Sequence, residues 1–414
     1  MDRIELPPFQ VDTRTRVLYR DGEIERMPPR TIEVLLALLE RRGEIVMKED
    51  LLRRVWPDTV VEEGNLSVHV SLLRKTLGAA APIETIAKRG YRIPAAVRAG
   101  PAASPAREEL LRGRHFWNKL RRPALERAYA CFAHAAKADP ASGEARSGLC
   151  DTRLMQGLFG FAAGRAPFEE ALDHAEAAVS LSPGSADAQA SHAFALLFAR
   201  WDVASAERAV GEARRLAPER VEPLLWTALL LALRGRFVEA LKALHLAHEI
   251  DPLSVKAGVE LGFHLYLSQQ HQPETTPLES VLELEPDSAV AHWALGLAQE
   301  RLGRFPEADA SYRRALELSG GSLTMESNLA RCLALSGRSS EAEAGLARLE
   351  ADGLSPYRVA TVELALGRPE RAMGALRRGL AERDPWMVWI GVDPMLEPLR
   401  AVPAFASLVR SVLV

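Results

Sequence analysis

Prolines 183, 218, 252 and 286 stand 35, 34 and 34 residues apart, and Pro140 precedes the first of them by a longer step of 43. Most of these prolines close the same frame: an alanine, an apolar or small residue four on, another three on, and the proline five further. The frame reads Ala128, Phe132, Ala135, Pro140, then Ala171, Ala175, Ala178, Pro183, then Ala206, Val210, Ala213, Pro218, then Ala240, Leu244, Ala247, Pro252. It returns at Ala308, Tyr312 and Ala315 with Gly320 in place of the proline, and more loosely at Ala342, Leu346, Leu349 and at Ala372, Leu376, Gly379. Steps of four and three place three side chains on one face of a helix, and a proline cannot continue that helix. Such a unit cannot bury its apolar face alone, so the chain is constrained to stack helix pairs into a solenoid. One unit, Leu253–Pro286, departs from the frame: Glu274 takes the alanine position, and Pro277 is expected to interrupt the second helix.

Composition agrees with that constraint. Alanine and leucine dominate, and aromatic residues make up only 6%, which fits helices packed through small side chains. With 48% hydrophobic and 26% charged residues, the chain is unlike a disordered one. No window approaches the roughly 18 apolar residues of a membrane span; Pro223–Leu233 is the longest candidate and is too short. The opening MDRIELPPF lacks a signal-peptide core. Cys131, Cys150 and Cys332 lie far apart without CxxC spacing, so neither a disulfide framework nor a zinc cluster is expected, and the reading is a cytoplasmic protein with no membrane partner. There is no P-loop, GxGxxG after a strand, HExxH or GxSxG. His245 and His248 stand three apart on a helix, but without an evident third ligand they read as surface or groove residues. No catalytic residue, metal or cofactor is therefore expected, and the chain reads as a non-enzyme.

The net charge of -3 hides an asymmetry. Up to Arg98 there are 17 Lys and Arg against 15 Asp and Glu, whereas the remainder holds 35 against 40. Between Asn65 and Arg98, six basic residues (Arg74, Lys75, Lys88, Arg89, Arg92, Arg98) face Glu84 alone. A short basic stretch in a mildly acidic chain points first to nucleic acid, although charge alone also fits a solvated basic face.

That stretch sits in a small α/β region. Ile4–Val11, Arg16–Arg20 and Glu23–Met27 read as strands, with an Asp21-Gly22 turn. Pro28-Pro29 opens a helix carrying Ile32, Leu35, Leu36, Leu38 and Leu39, and Gly43 follows its end. Lys48–Trp56 and Asn65–Leu77 are two further helices, the last with Leu66, Val70, Leu73 and Leu77 inward and Gly78 ending it. Ile83–Ile86 and Tyr91–Ile93 pair around Ala87-Lys88-Arg89-Gly90. Three helices and a basic hairpin make a winged helix-turn-helix.

The stretches TIEVLLALLERRGEIVMKEDLLRRVWPDT, EEGNLSVHVSLLRKTLG and IETIAKRGYRI resemble the OmpR/PhoB-type winged-helix DNA-binding domain, over about a quarter of the chain. A four-stranded opening sheet is characteristic of that family. WALGLAQERLGRFPEADASYRRALEL (Trp293–Leu318) closely resembles the tetratricopeptide repeat. The expected organisation is a winged helix over 1–97, a linker over 98–106, a superhelix of about eight repeats over 107–385, and a capping segment over 386–414 that includes Trp386 and Trp389. The fold class is mainly α, with an α/β winged helix preceding an α-helical superhelix. This order resembles that of virulence-gene activators joining the same two modules.

The resemblance implies a third helix in the major groove of double-stranded DNA and a wing in the minor groove. Asn65, Ser67 and Ser71 can hydrogen-bond bases, and Val68 and Leu72 can touch thymine methyls. His69 is expected toward the phosphates, with Arg74 and Lys75 as phosphate clamps. Lys88 and Arg89 suit the minor groove. Tyr91 and Arg92 can reach the backbone, or Tyr91 can simply cover the core. Relatives often carry arginine where Leu72 and Ala87 stand, which lowers the expectation of arginine–guanine readout here. Met47 replaces the usual Ser/Thr cap of the second helix, a loss of roughly 1 kcal/mol.

In relatives the loop corresponding to Asp58–Gly64 touches RNA polymerase. Glu62 and Glu63 can do so here, or can simply favour the dipole of the helix they precede. No phosphate-accepting receiver is expected before the winged helix, and input is expected from the repeats. Their concave face would bind a protein, peptide or small effector, or mediate self-association. The reading is a nucleoid-associated transcriptional regulator; the alternative is a repeat scaffold whose winged helix does not bind DNA.

Overall fold

The computed structural model describes residues 3–6, 8–13, 15–20, 23–25, 27–57, 63–78, 82–86, 89–94, 105–218, 220–251, 254–268 and 274–412. The chain divides into two compact units, Met1–Leu111 and Arg112–Val414.

The first unit opens with four antiparallel strands in sequential order: β1 (Arg3–Leu6), β2 (Phe9–Asp12), β3 (Val17–Arg20) and β4 (Glu23–Glu25). The stretch expected as one strand is two, facing each other from Leu6↔Phe9 to Arg3↔Asp12, and its Pro7-Pro8 pair cannot donate to a ladder. Leu6, Phe9, Val11 and Leu18 are buried beneath α1 (Pro29–Glu40). Pro29 occupies the first turn of that helix, where its missing N–H costs nothing.

A two-residue strand that periodicity does not reveal, β5 (Val46–Met47), precedes α2 (Lys48–Val55). It pairs with β7 (Gly90–Arg92), which pairs with β6 (Glu84–Ile86). Met47 gives α2 no side-chain cap. The wing instead satisfies one orphan donor of the helix, since Lys48 N donates to Arg89 O at 3.1 Å. Gly90 is obligatory for this pairing: a Cβ there would sit 1.9 Å from the Val46 carbonyl oxygen. The third helix, α3 (Glu63–Leu77), buries Leu66, Val70, Leu73 and Leu77. Gly78, at φ +49, ends it.

The second unit is a run of helix pairs, which begins in α4 (Pro105–Trp117), the helix that crosses the division, and α5 (Arg122–Ala138). It continues through α6 (Gly143–Leu158), α7 (Ala166–Leu181), α8 (Ala186–Arg200), α9 (Val203–Leu216), α10 (Glu222–Leu233) and α11 (Phe237–Ile250). Then come α12 (Val255–Leu267), α13 (Thr276–Leu284), α14 (Ala289–Arg301), α15 (Phe305–Ser319), α16 (Leu323–Leu335), α17 (Ser339–Ala351), α18 (Pro356–Ala365) and α19 (Pro369–Glu382). The alanine and the two residues four and seven on from it in the repeating frame fall on buried faces. Ala128, Ala171, Ala206, Ala240, Ala308, Ala342 and Ala372 are each fully buried.

The alanines let helices approach, and the large residue of the frame fills the gap left by a glycine opposite. A Cβ on Gly113 or Gly148 would lie 2.7 or 2.5 Å from the Phe132 ring. In the aberrant unit Pro277 does not interrupt a helix. It lies in the first turn of α13, which starts late at Thr276 and still buries Leu278 and Val281. Proline is tolerated there because the first-turn N–H has no intrahelical partner.

The chain ends in two 3₁₀ segments, Pro385–Trp389 and Pro394–Leu399, and α20 (Pro403–Val412). These do more than cover one open end. Trp389 packs edge-on to Phe263 of α12 at 5.6 Å. The Arg358 guanidinium of α18 lies 3.6 Å from the Trp386 ring centroid, and Tyr357 Oη donates to Asp393 Oδ2 at 2.7 Å. The segment thus lies against first helices of several pairs. The early and late repeats also meet: Ser322 Oγ donates to Phe159 O and Thr324 Oγ1 to Leu158 O, both at 2.7 Å. Among the described residues no helix is long and apolar enough to cross a membrane.

Candidate nucleic-acid interface

The third helix presents two different faces. Steps of 100° put Asn65, Val68, Ser71, Leu72 and Lys75 within an arc of about 120°. Asn65, Val68, Ser71 and Lys75 are exposed and Leu72 is half-buried. Val68 is 65% exposed, the most exposed large hydrophobic side chain among the described residues. No hydrogen bond or ion pair engages the Asn65, Ser71 or Lys75 side chain among the described residues. Arg89, at the wing tip, is likewise exposed and unpaired in its side chain. The array can donate hydrogen bonds, offer a methyl surface and supply cations without breaking internal contacts.

Four expected contacts lie elsewhere. The sequence places His69 toward phosphates, but its Nδ1 is 2.7 Å from the buried Thr31 Oγ1 of α1, and its ring packs 5.3 Å from Trp56. Burial holds this imidazole below its ordinary pKa, so it is a neutral joint between helices. Arg74 is exposed, yet it is spent on the wing: Nε and Nη2 donate to Ile83 O at 2.9 and 2.7 Å, and Nη2 to Thr85 Oγ1 at 2.6 Å. Its guanidinium also lies 5.9 Å from the Tyr91 ring centroid. Tyr91 is 5% exposed, so it covers the core, with its hydroxyl 3.4 Å from Ser67 Oγ. Arg92 pairs with Glu84 across the hairpin at 2.6 Å. These residues build the surface and are not part of its open face. Glu63 is the first residue of α3; Glu62, Ala87 and Lys88 lie outside the described residues.

Sequence reasoning missed Thr31 and β5, which position His69 and the wing. A buried threonine and a two-residue strand carry no periodic signal. The doubled use of Arg74 was also hidden, because an arginine near a basic hairpin looks the same whether it holds the hairpin or a phosphate.

Comparison with known proteins agrees with both halves of this description. The family model described as "Transcriptional regulatory protein, C terminal" matches residues 22–93, and that of the tetratricopeptide repeat matches residues 289–322. The chain therefore carries an OmpR/PhoB-type winged-helix domain at its N-terminus, and tetratricopeptide-repeat structure follows it. The transcriptional regulator HilA of Salmonella typhimurium is 37% identical over 105 residues, which cover 23% of this chain and 19% of HilA. The transcriptional regulatory protein PhoP of Escherichia coli K12 is 32% identical over 92 residues, 21% of this chain and 41% of PhoP. The matches thus span about a fifth and two fifths of those relatives. Among solved structures, the APC/C hetero-tetramer Cut9-Hcn1 shares the fold over 93% of this chain and 63% of its own, at 15% identity and a TM-score of 0.52.

Proposed function

We propose that this chain is a transcriptional regulator that binds duplex DNA through its winged helix, not an enzyme. Asn65, Val68, Ser71, Leu72 and Lys75 of α3 face the major groove, Ser67 stands at its margin beside the Tyr91 hydroxyl, and Lys88 and Arg89 reach the minor groove at the wing tip. The observation that carries this reading is the open face of α3: the exposed Val68 beside Asn65, Ser71 and Lys75, whose side chains no hydrogen bond or ion pair engages among the described residues. An apolar or acidic face there would have spoken for a protein partner instead. His69, Arg74, Tyr91 and Arg92 position that face. Glu62 and Glu63 are assigned to contact with RNA polymerase, and the repeats to a protein, peptide or effector, or to a second copy of the chain.

Fluorescence anisotropy on genomic duplexes tests the reading. Lys75→Ala and Arg89→Ala each weaken binding, and each lowers the salt slope by about one unit. Binding and slope unchanged in both variants would overturn it.

A further inference from the structure

The second unit belongs to the acidic part of the chain, yet its beginning is strongly basic. Residues 112–127 hold six Lys and Arg (Arg112, Arg114, Lys119, Arg121, Arg122, Arg127) against Glu126 alone, with His115 and two aromatic residues among them. We propose that this first helix pair carries a second, sequence-independent contact to the DNA backbone, centred on Phe116, Lys119, Arg121 and Arg127. The proposal rests on the winged-helix reading, and it extends the DNA-binding surface into the repeats.

The geometry sorts the six cations. Arg114 turns toward Asp151 at 3.7 Å. Arg122 donates to Gly321 O at 2.9 Å, and its guanidinium lies 5.2 Å from the Phe161 ring centroid; Arg112 is engaged within the chain. The other three face outward. Lys119 Nζ and the Arg127 guanidinium lie 5.9 and 5.6 Å from the centroid of one ring, Phe116. Arg121, exposed, directly precedes α5. None of these three makes an ion pair with a carboxylate among the described residues. The turn that groups them is specific: Leu120 takes φ +43, a conformation few non-glycine residues adopt, and Leu120 N donates to Trp117 O at 3.0 Å. The His115 ring meets Phe116 edge-on at 5.5 Å. Burial, and then the Lys119 ammonium, hold its pKa below the ordinary value, so it adds a neutral hydrogen-bonding group to the cationic cluster.

Cations gathered without counter-charge repel one another until an anion joins them. A polyanion with regularly spaced phosphates answers two cations at one aromatic ring and a third exposed beside them in the chain better than a single small anion does. Chain connectivity favours DNA over another polyanion. The wing ends by residue 94 and α4 starts at Pro105. The ten intervening residues span at most about 35 Å when extended, roughly one turn of B-DNA. A winged helix bound to duplex therefore raises the local concentration of DNA phosphates available to this cluster.

The test uses the full chain and two duplexes: one limited to the winged-helix site, and the same site lengthened by about one helical turn at each end. Wild type is expected to bind the longer duplex more tightly, with a salt slope steeper by about two to three units. The triple variant Lys119→Ala/Arg121→Ala/Arg127→Ala is expected to lose most of that increment, roughly tenfold in affinity at physiological salt, and to bind the short duplex as wild type does. The charge-retaining variant Lys119→Arg/Arg121→Lys/Arg127→Lys keeps the increment, and thermal melts of both variants match wild type. Equal affinity of wild type for both duplexes, or an increment that survives the triple variant, overturns the proposal. So does a triple variant that loses binding only to phosphatidylglycerol vesicles. Failure of the winged-helix reading shows separately, as no preference of wild type for the short duplex over a scrambled one. Binding of the scrambled duplex that the triple variant then loses would still support the patch.

Discussion

Replacing Arg74 separates a residue that holds the wing from one that holds DNA. Its guanidinium makes three hydrogen bonds to β6 and its approach, at 2.6–2.9 Å, and faces Tyr91. Hydrogen bonds of this kind contribute about 0.5–1.5 kcal/mol each, and exposure of Arg74 places them at the lower end. Their joint loss in Arg74→Ala is therefore about 1–2 kcal/mol of wing docking. If the wing must be docked to engage DNA, that becomes a roughly 5- to 30-fold loss of affinity, since about 1.4 kcal/mol is tenfold.

Arg74→Lys keeps the charge but lacks the planar fork that reaches a carbonyl and a hydroxyl together. It is expected to behave nearly as Arg74→Ala does. Anisotropy titrations at several salt concentrations read the affinity and its slope, and hydrogen exchange over residues 83–92 reads the wing. The expected outcome is weaker binding, an unchanged slope and faster exchange in the wing for both variants. Wild-type affinity in Arg74→Lys together with a slope lowered by about one unit in Arg74→Ala would refute the reasoning and make Arg74 a phosphate ligand.

Three further outcomes follow from the packing. Gly90→Ala drives a methyl into the Val46 carbonyl, so the β5–β7 pairing opens; the check is loss of DNA binding with the melting of the repeats unchanged. Phe132→Ala empties the space that Gly113 and Gly148 leave between helices and is expected to cost about 3–5 kcal/mol, read as a lower Tm or denaturant midpoint of the repeats. His69 has its folded-state pKa depressed by burial, so the folded domain binds fewer protons than the unfolded one. Its contribution is complete above about pH 6.5 and shrinks as the pH falls below that value. Denaturant melts at pH 5 and pH 7.5 check this: the difference between them is smaller in His69→Gln than in wild type.

The repeats were legible in the sequence because their signal is arithmetical. Steps of four, three and five recur over many units, the frame alanines are buried, and the two large aromatic residues of the frame, Phe132 and Tyr312, each pack where glycines leave room. The winged helix was legible from local rules: a proline at a helix start, glycines past helix ends, a hairpin rich in arginine. What escaped was set by contacts distant in sequence. β5 exists because Val46 and Met47 find Tyr91 and Gly90, and nothing within two residues announces a strand. His69 faces inward because Thr31, 38 residues earlier, offers it a hydroxyl.

The two readings of Tyr91 could not be separated by sequence, since an aromatic ring next to a basic hairpin suits either place; its burial separates them. Pro277 misled because a helix boundary was fixed by the frame: this helix begins two residues after the frame's alanine position, where most of its counterparts begin three residues before theirs. The basic cluster of residues 112–127 was visible as charge, but it disappears when the remainder of the chain is counted as one acidic block.

The central claim is that the open face of α3 reads DNA. It is tested most directly by selecting duplexes from fragmented genomic DNA of the source organism with the full chain, then measuring the recovered sequence against a scrambled one at physiological salt. A recovered site is expected to bind at least about a thousandfold more tightly than the scrambled duplex, with the preference reduced in Asn65→Ala and Ser71→Ala. Equal binding of both duplexes, or a preference that neither substitution changes, would contradict it.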